Sequence, residues 1–257
     1  MKKIKMIITD LDMTVLHSDK SISEYTKKIF KSCADQNIVT AVATARYYIG
    51  AEKFIHILNP TYNITTDGTM TFKNSDFIYG DGFDLNTTNE IINEITTIDK
   101  NLELTVATDT GVYWNSLQIL DSPVLFKAKY NDYSSPLTEC AYKIVAELPD
   151  KSYADKIGEK YGCKIISYRG ENRYGFIRSG AGKIEAIRKL ALFLDIQMSE
   201  IIAFGDDLND IEMLTECGYG IAVENAVADV KKIADAICES NDNDGVAKYI
   251  EQNILHS

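Results

Sequence analysis

Positive charge is scarce in this chain: 27 Lys and Arg stand against 38 Asp and Glu, a formal net charge of −11. Nucleic acids and anionic membrane surfaces are held by basic patches, so this balance excludes a generic binder of either. A small anionic substrate is not excluded, because a bound cation reverses the local sign. Proline is limited to four residues and no low-complexity tract is present, which argues against long disordered linkers. No stretch approaches the roughly 18 apolar residues of a membrane span. The N-terminal "MKKIKMIITD" is basic, but its apolar run is too short for a signal-peptide core. The three histidines (17, 56 and 256) form neither HxH nor HExxH, so a zinc site is not expected. The five cysteines (33, 140, 163, 217 and 238) are scattered without a CxxC pair. Reduced thiols and a cytoplasmic location are the expectation. Oligomeric state is not legible.

What is present is an α/β rhythm. The chain has 257 residues, 45% of them hydrophobic, enough for a sizeable core and one or two domains. "KIKMIIT" reads as a strand, and "SISEYTKKIFKSCADQN" as a helix in which Ser21 and Glu24 suit a capping box. "IVTAVATA" is β-branched and continuously apolar, as a buried parallel strand would be. The helical "YYIGAEKFIHIL" and the short strand "YNITT" follow. Strands alternating with helices indicate a parallel α/β sheet. Two glycines in "YGDGFD", residues 79–84, mark a plausible hinge. Beyond it the order is helix–strand–strand, repeated about 60 residues later, a small α+β domain inserted into the first. The α/β alternation then resumes from "KIEAIRKLALFLD" to the terminal helix "DGVAKYIEQNI". The expected division is 1–81 with 181–257 as a core and 82–180 as the insert.

Sites in open parallel sheets lie beyond the carboxyl ends of the strands. There this sequence puts Asp10 and Asp12, then Thr44, Ala45 and Arg46, then Asp67 and Gly68, and finally "GDDLND", residues 205–210. Lys183 opens the helix before that last strand. A single aspartate at a strand end is ordinarily a turn or cap residue, the simplest reading of Asp67 alone. Asp10, Asp12, Asp206 and Asp210 together favour a cation site. Hard oxygen donors suit Mg²⁺, which takes one or two carboxylates plus a phosphate oxygen.

These residues carry a resemblance. "DLDMT", Thr44 in "ATAR", Lys183 and "GDDLND" resemble, in order, the four motifs of the haloacid dehalogenase superfamily. The insert between the second and third motifs is similar to the class IIB cap of Cof-type sugar-phosphate phosphatases. So are "ITTDG" and the tail "YGIAVENAVADVKKIAD…NDGVAKYI". The resemblance implies a Rossmann-like parallel sheet core with an inserted α+β cap that selects the substrate. It implies a Mg²⁺-dependent phosphatase of small phosphorylated metabolites working through an aspartyl-phosphate. Asp10 would be the nucleophile and Asp12 the acid and base, kept protonated by its carboxylate neighbour. Asp10, the Asp12 carbonyl and Asp206 would hold Mg²⁺, with Asp207, Asp210 and Asn209 orienting that shell. Thr44 and the Ala45 N–H would hold phosphoryl oxygens, as would Asn209, and Lys183 would neutralise charge. Four positions depart from the commoner residues: Met13 and Ala45 replace glycines, Asp67 an asparagine, and Asp207 stands where asparagine is frequent.

Other readings remain. A phosphotransferase or phosphomutase would use the same aspartyl-phosphate. A receiver-like signalling module also uses Asp, Thr and Lys, but lacks the acid/base aspartate and the insert. "SGAGKIE" fails as a nucleotide phosphate loop, since Ile177 stands at its first glycine and Ile184 at its Ser/Thr. "NIT" and "NTT" match glycosylation acceptors, which are irrelevant without secretion. Trp114, Arg173 and Tyr174 are candidates to line a pocket in the insert, against the commoner role of packing on a small sheet.

Overall fold

A computed structural model of the protein describes residues 3–117, 128–168 and 170–255. His256 therefore lies outside the described residues. The chain divides into two compact units, one of Met1–Arg46, Ala51–Tyr79 and Lys183–Ser257, the other of Tyr47–Gly50 and Gly80–Gly182.

The first unit holds strands β1 (Met6–Thr9), β2 (Val39–Ala43), β3 (Tyr62–Thr65), β4 (Met70–Lys73) and β5 (Asp76–Gly80). After the second unit it adds β12 (Ile201–Gly205), β13 (Tyr219–Val223) and β14 (Ala236–Cys238). They form one sheet in the order β14-β13-β12-β1-β2-β3-β4-β5. Its pairings from β14 through β3 are parallel. Met6, Ile7, Ile8 and Thr9 of the central strand β1 are all fully buried, which explains a run without polar alternation. Helices α1 (Glu24–Asp35) and α2 (Tyr48–Leu58) lie between the first strands in sequence. α5 (Lys183–Phe193), α6 (Ile211–Glu216), α7 (Ala228–Ile233) and α8 (Gly245–Ile250) alternate with the last.

Two local features differ from expectation. α1 is capped by Ser23, whose Oγ accepts from the Thr26 N–H at 3.0 Å, rather than by Ser21. Ser21 is engaged in the turn before it, where its carbonyl accepts from His17 N–H and its own N–H donates to Asp19. The parallel sheet also gains β4 and β5, which the sequence reading leaves as a connection. β4 runs antiparallel to β3 and turns at Asn74, whose φ of 53° suits an asparagine.

The second unit holds α3 (Leu85–Ile98), β6 (Leu104–Ala107), β7 (Val112–Trp114), β8 (Lys129–Tyr130), β9 (Lys143–Glu147), α4 (Lys151–Tyr161), β10 (Cys163–Ser167) and β11 (Arg173–Arg178). Helix–strand–strand thus recurs as α3-β6-β7 and α4-β10-β11. The sheet order is β10-β11-β9-β6-β7-β8. Alternate residues Leu104, Val106, Ile144, Ala146, Tyr174 and Phe176 join Ile91, Ile92, Ile95, Ala154 and Ile157 of the two helices in one core. Tyr174 is therefore a packing residue. Arg173 stands on the opposite strand parity, beside Glu103.

Candidate active site

Strand register brings the acidic groups together. Thr9 of β1 lies opposite Phe204 of β12, and the Asp10 N–H donates to the Phe204 carbonyl at 3.0 Å. Asp10 therefore leaves the sheet beside the 205–210 turn. Gly205 is required there, because a Cβ on it would meet the Asp210 Cβ at 2.6 Å. Asp10 (6% exposed), Asp210 (0%) and Lys183 (4%) are all buried. Lys183 Nζ donates to Asp10 Oδ1 and to Asp210 Oδ1, both at 2.7 Å. The other oxygen of Asp210 accepts the N–H groups of Asp206 at 3.0 Å and Asp207 at 3.2 Å. Asp207 caps the same turn, its Oδ1 accepting from Leu208 N–H at 2.8 Å. Asp206 Oδ1 accepts from Thr14 Oγ1 at 2.7 Å.

Carboxylate oxygens of Asp10, Asp206 and Asp210 lie within 4.8 Å of one another. One ammonium faces three carboxylates, and the imbalance shows in the titration of Asp10 and Asp206. Burial pushes the Asp10 carboxyl well above its ordinary range; Lys183 opposes this, while Asp210 and Asp206 add to it. Burial likewise raises Asp206 to about 6, against the Thr14 hydrogen bond and with help from Asp210 and Asp207. Burial alone would lower Lys183, but Asp10 and Asp210 outweigh it and hold the ammonium charged. The donor set is all hard oxygen, gathered against its own repulsion. That fits a small divalent cation and is a poor fit for a soft metal. With both oxygens of Asp210 already engaged, Asp10 and Asp206 are the better placed to ligate. One aspect of the site follows from charge alone: the cation would offset repulsion that Lys183 offsets only in part.

Asp12 differs from expectation. Its carboxylate is gripped by Arg46 through Nε at 2.6 Å and Nη2 at 2.7 Å, and by Lys20 Nζ at 2.8 Å. Burial would raise its pKa, but the hydrogen bonds from Arg46 and Lys20 prevail and hold it below the usual carboxyl range. The neighbouring carboxylate does not keep a proton on Asp12 in this arrangement, because two cations are closer to hand.

Thr44 is buried at the end of β2. Its N–H donates to Ile64, its carbonyl accepts from Asp67 N–H at 3.2 Å, and its Oγ1 accepts from Arg46 N–H at 3.2 Å. Thr66 N–H donates to the Arg46 carbonyl at 2.7 Å, so the turn after β3 braces residues 44–46 from beneath. Thr66 (φ 56°) and Asp67 (φ 57°) are both left-handed there. Aspartate, like asparagine, tolerates that region, so Asp67 meets the turn's backbone need. Ala45 is absent from the left-handed set, whereas Met13 is in it at φ 58°. Asn209 is exposed on the 208–210 turn. The sequence assigns no role to Thr14, Arg46 or Lys20, although Arg46 stands at a strand end. Thr14 closes the quoted "DLDMT" and Arg46 closes "TAR", but Lys20 sits in a polar loop with no distinguishing signal.

The family of haloacid dehalogenase-like hydrolases matches residues 7–250. The chain is similar to the 5-amino-6-(5-phospho-D-ribitylamino)uracil phosphatase YitU of Bacillus subtilis, 24% identical over 96% of each chain. Among solved structures, a haloacid dehalogenase-like hydrolase from Bacteroides thetaiotaomicron shares its fold with a TM-score of 0.80 and 23% identity, covering 97% of this chain and 99% of that one. So does the subclass IIB sugar phosphatase BT4131, with a TM-score of 0.80 and 16% identity over 98% and 99% of the two chains.

Proposed function

The chain belongs to the haloacid dehalogenase-like hydrolases, and from that membership we propose that it is a Mg²⁺-dependent phosphatase of small phosphomonoesters. The observation that carries the reading is the buried Lys183 bridge between Asp10 and Asp210, with the Asp206 carboxylate in the same cluster. Asp10, the Asp12 carbonyl and Asp206 would hold the ion, which would supply charge neutralisation for the phosphoryl group. Asp207, Asp210 and Asn209 would keep the turn around it in place.

Asp10 attacks phosphorus, forming the acyl–phosphate bond as the ester P–O bond breaks. The leaving oxygen takes a proton from Asp12. Asp12 then accepts a proton from water, whose oxygen attacks the aspartyl-phosphate, releasing inorganic phosphate and restoring Asp10. Lys183 offsets the negative charge around Asp10, and Thr44 with the Ala45 N–H holds phosphoryl oxygens. Arg46 and Lys20 favour the ionised form of Asp12 needed for the second step. For the first step Asp12 must carry a proton, taken from solvent or from the monoanionic substrate.

We assign substrate selection to the insert over 82–180, which makes up most of the second unit. YitU acts on a phosphorylated ribityl compound and BT4131 on sugar phosphates. Ribityl and sugar phosphates therefore head the substrate panel, with pyridoxal phosphate and flavin mononucleotide beside them. The five free cysteines are in keeping with a reducing, cytoplasmic setting. None of the described helices is long and apolar enough to cross a membrane. The test is phosphate release from that panel with Mg²⁺, again with a chelator, and with Asp10→Asn. Activity lost in the last two supports the reading. Full activity in Asp10→Asn refutes it, and transfer of the phosphoryl group to an alcohol acceptor, with little ¹⁸O-labelled phosphate formed in labelled water, favours a phosphotransferase.

A further inference from the structure

The tail motif "VENA" lies outside the machinery described above, yet its asparagine touches the nucleophile's loop. Residues 11–14 form a reverse turn, with Asp12 at φ −71°, ψ 129° and Met13 at φ 58°, ψ 7°. Those angles are type II, the turn whose third residue is ordinarily glycine. A methionine there is strained, because its Cβ crowds the following carbonyl. A type I turn would suit it better, and the two types differ by a flip of the central peptide. That peptide carries the Asp12 carbonyl.

Asn225 Nδ2 donates to the Met13 carbonyl at 2.7 Å. Its Oδ1 accepts from Asn241 N–H at 2.9 Å, and Asn241 Nδ2 donates to the Leu16 carbonyl at 3.0 Å. A carbonyl only accepts and an N–H only donates, so the two partners fix which way the Asn225 amide faces. Two residues on, Val227 N–H donates to the Asp206 carbonyl at 2.9 Å. Thr14, next after Met13, donates to the Asp206 carboxylate. The segment after β13 thus holds the Asp10 loop through a side chain and the Asp206 loop through its backbone.

We propose that Asn225 is a positioning residue: its hydrogen bond to the Met13 carbonyl anchors the peptide that joins Met13 to Thr14 and so holds Thr14 in register with Asp206. The inference rests on the proposed reaction only for its kinetic arm. The primary test is Mn²⁺ affinity without substrate, read as free Mn²⁺ by electron paramagnetic resonance, alongside kcat and KM. In Asn225→Ala, Mn²⁺ affinity falls by up to about tenfold, the scale of one lost hydrogen bond, and kcat falls more than KM rises. Thr14→Val, which removes the hydrogen bond to Asp206, shows the same defect, and adding Asn225→Ala to it costs less than about threefold more, because the two act through one contact. Asn225→Asp keeps the acceptor for Asn241 but trades the donor for a negative oxygen facing the Met13 carbonyl; Mn²⁺ affinity falls there even though the added charge alone would raise it. Unchanged Mn²⁺ affinity in both Asn225 variants overturns the inference, as does an Asn225→Ala defect that adds in full to that of Thr14→Val. If Asn225→Ala fails to fold, Asn225→Asp decides alone. An inactive wild type that still binds Mn²⁺ Asn225-dependently would sink the phosphatase reading and leave this one standing.

Discussion

Replacing Lys183 by methionine tests the electrostatics on which the site is built. The side chain is 4% exposed and its ammonium lies 2.7 Å from one oxygen of each of two buried carboxylates. Methionine fills much of the same volume, so the perturbation is chiefly loss of charge. At an effective dielectric near 20, two unit charges about 4 Å apart interact by roughly 4 kcal/mol. Without the ammonium, Asp10 and Asp210 keep their repulsion and lose both attractions. Removing one partner of a buried pair ordinarily costs about 3–5 kcal/mol. For a protein of this size that is a fall in midpoint of about 6–20 °C, at roughly 2–4 °C per kcal/mol. The assay is thermal unfolding by circular dichroism in metal-free buffer, then with excess Mg²⁺, which should recover part of the loss. Asp210→Asn added to Lys183→Met should recover part as well, since it removes one of the stranded charges. Phosphate release should fall by about 10²–10³ or more. A midpoint within 2 °C of wild type in metal-free buffer, a margin of roughly 1 kcal/mol or less, would refute the reasoning.

Further outcomes can be checked in parallel. Gly205→Ala drives a methyl into Asp210 at 2.6 Å and should cost about 1–3 kcal/mol together with metal affinity, read by unfolding and Mn²⁺ titration. Arg46→Met removes the bidentate grip that depresses Asp12, so whichever limb of the pH–kcat/KM profile Asp12 controls should move to higher pH. Asp244 is held low, burial being outweighed by hydrogen bonds from Ser23, His17 and Thr26. Its depressed pKa gives stability that is present above the ordinary carboxyl value and lost as pH falls through the folded one. Asp244→Asn should therefore flatten the acid side of the stability–pH curve below about pH 4, the ordinary carboxyl range, as followed by denaturant midpoints.

The central sheet was legible because a parallel strand whose two faces are both covered has no wet face. "MIIT" shows this as unbroken apolar sequence, and its terminal position announces where Asp10 emerges. The β4–β5 addition was not legible for the converse reason. At the sheet's edge, Asp76, Phe77 and Ile78 are all exposed, so burial imposes no pattern on them. Asp12 shows a different limit. Its environment is set by Arg46 and Lys20, and a loop lysine eight residues away carries no periodicity that could report its target. Ser21 and Ser23 both precede α1 at plausible spacing, and only the turn at His17 decides which one caps. Tyr174 and Arg173 are adjacent, yet strand parity sends one into the core and the other beside Glu103. Met13 was visible as a departure from glycine, but the amide that supports it comes from residue 225.

The strand order has a consequence for synthesis. β1 lies between β2 and β12, and β12 begins only at Ile201. At about 5–20 residues per second, a ribosome needs roughly 10–40 s to supply that second neighbour. Throughout that interval the nascent chain offers an unpaired apolar ribbon to anything nearby. Premature termination anywhere inside the second unit would leave that ribbon permanently half-partnered, a natural target for holding chaperones and proteases.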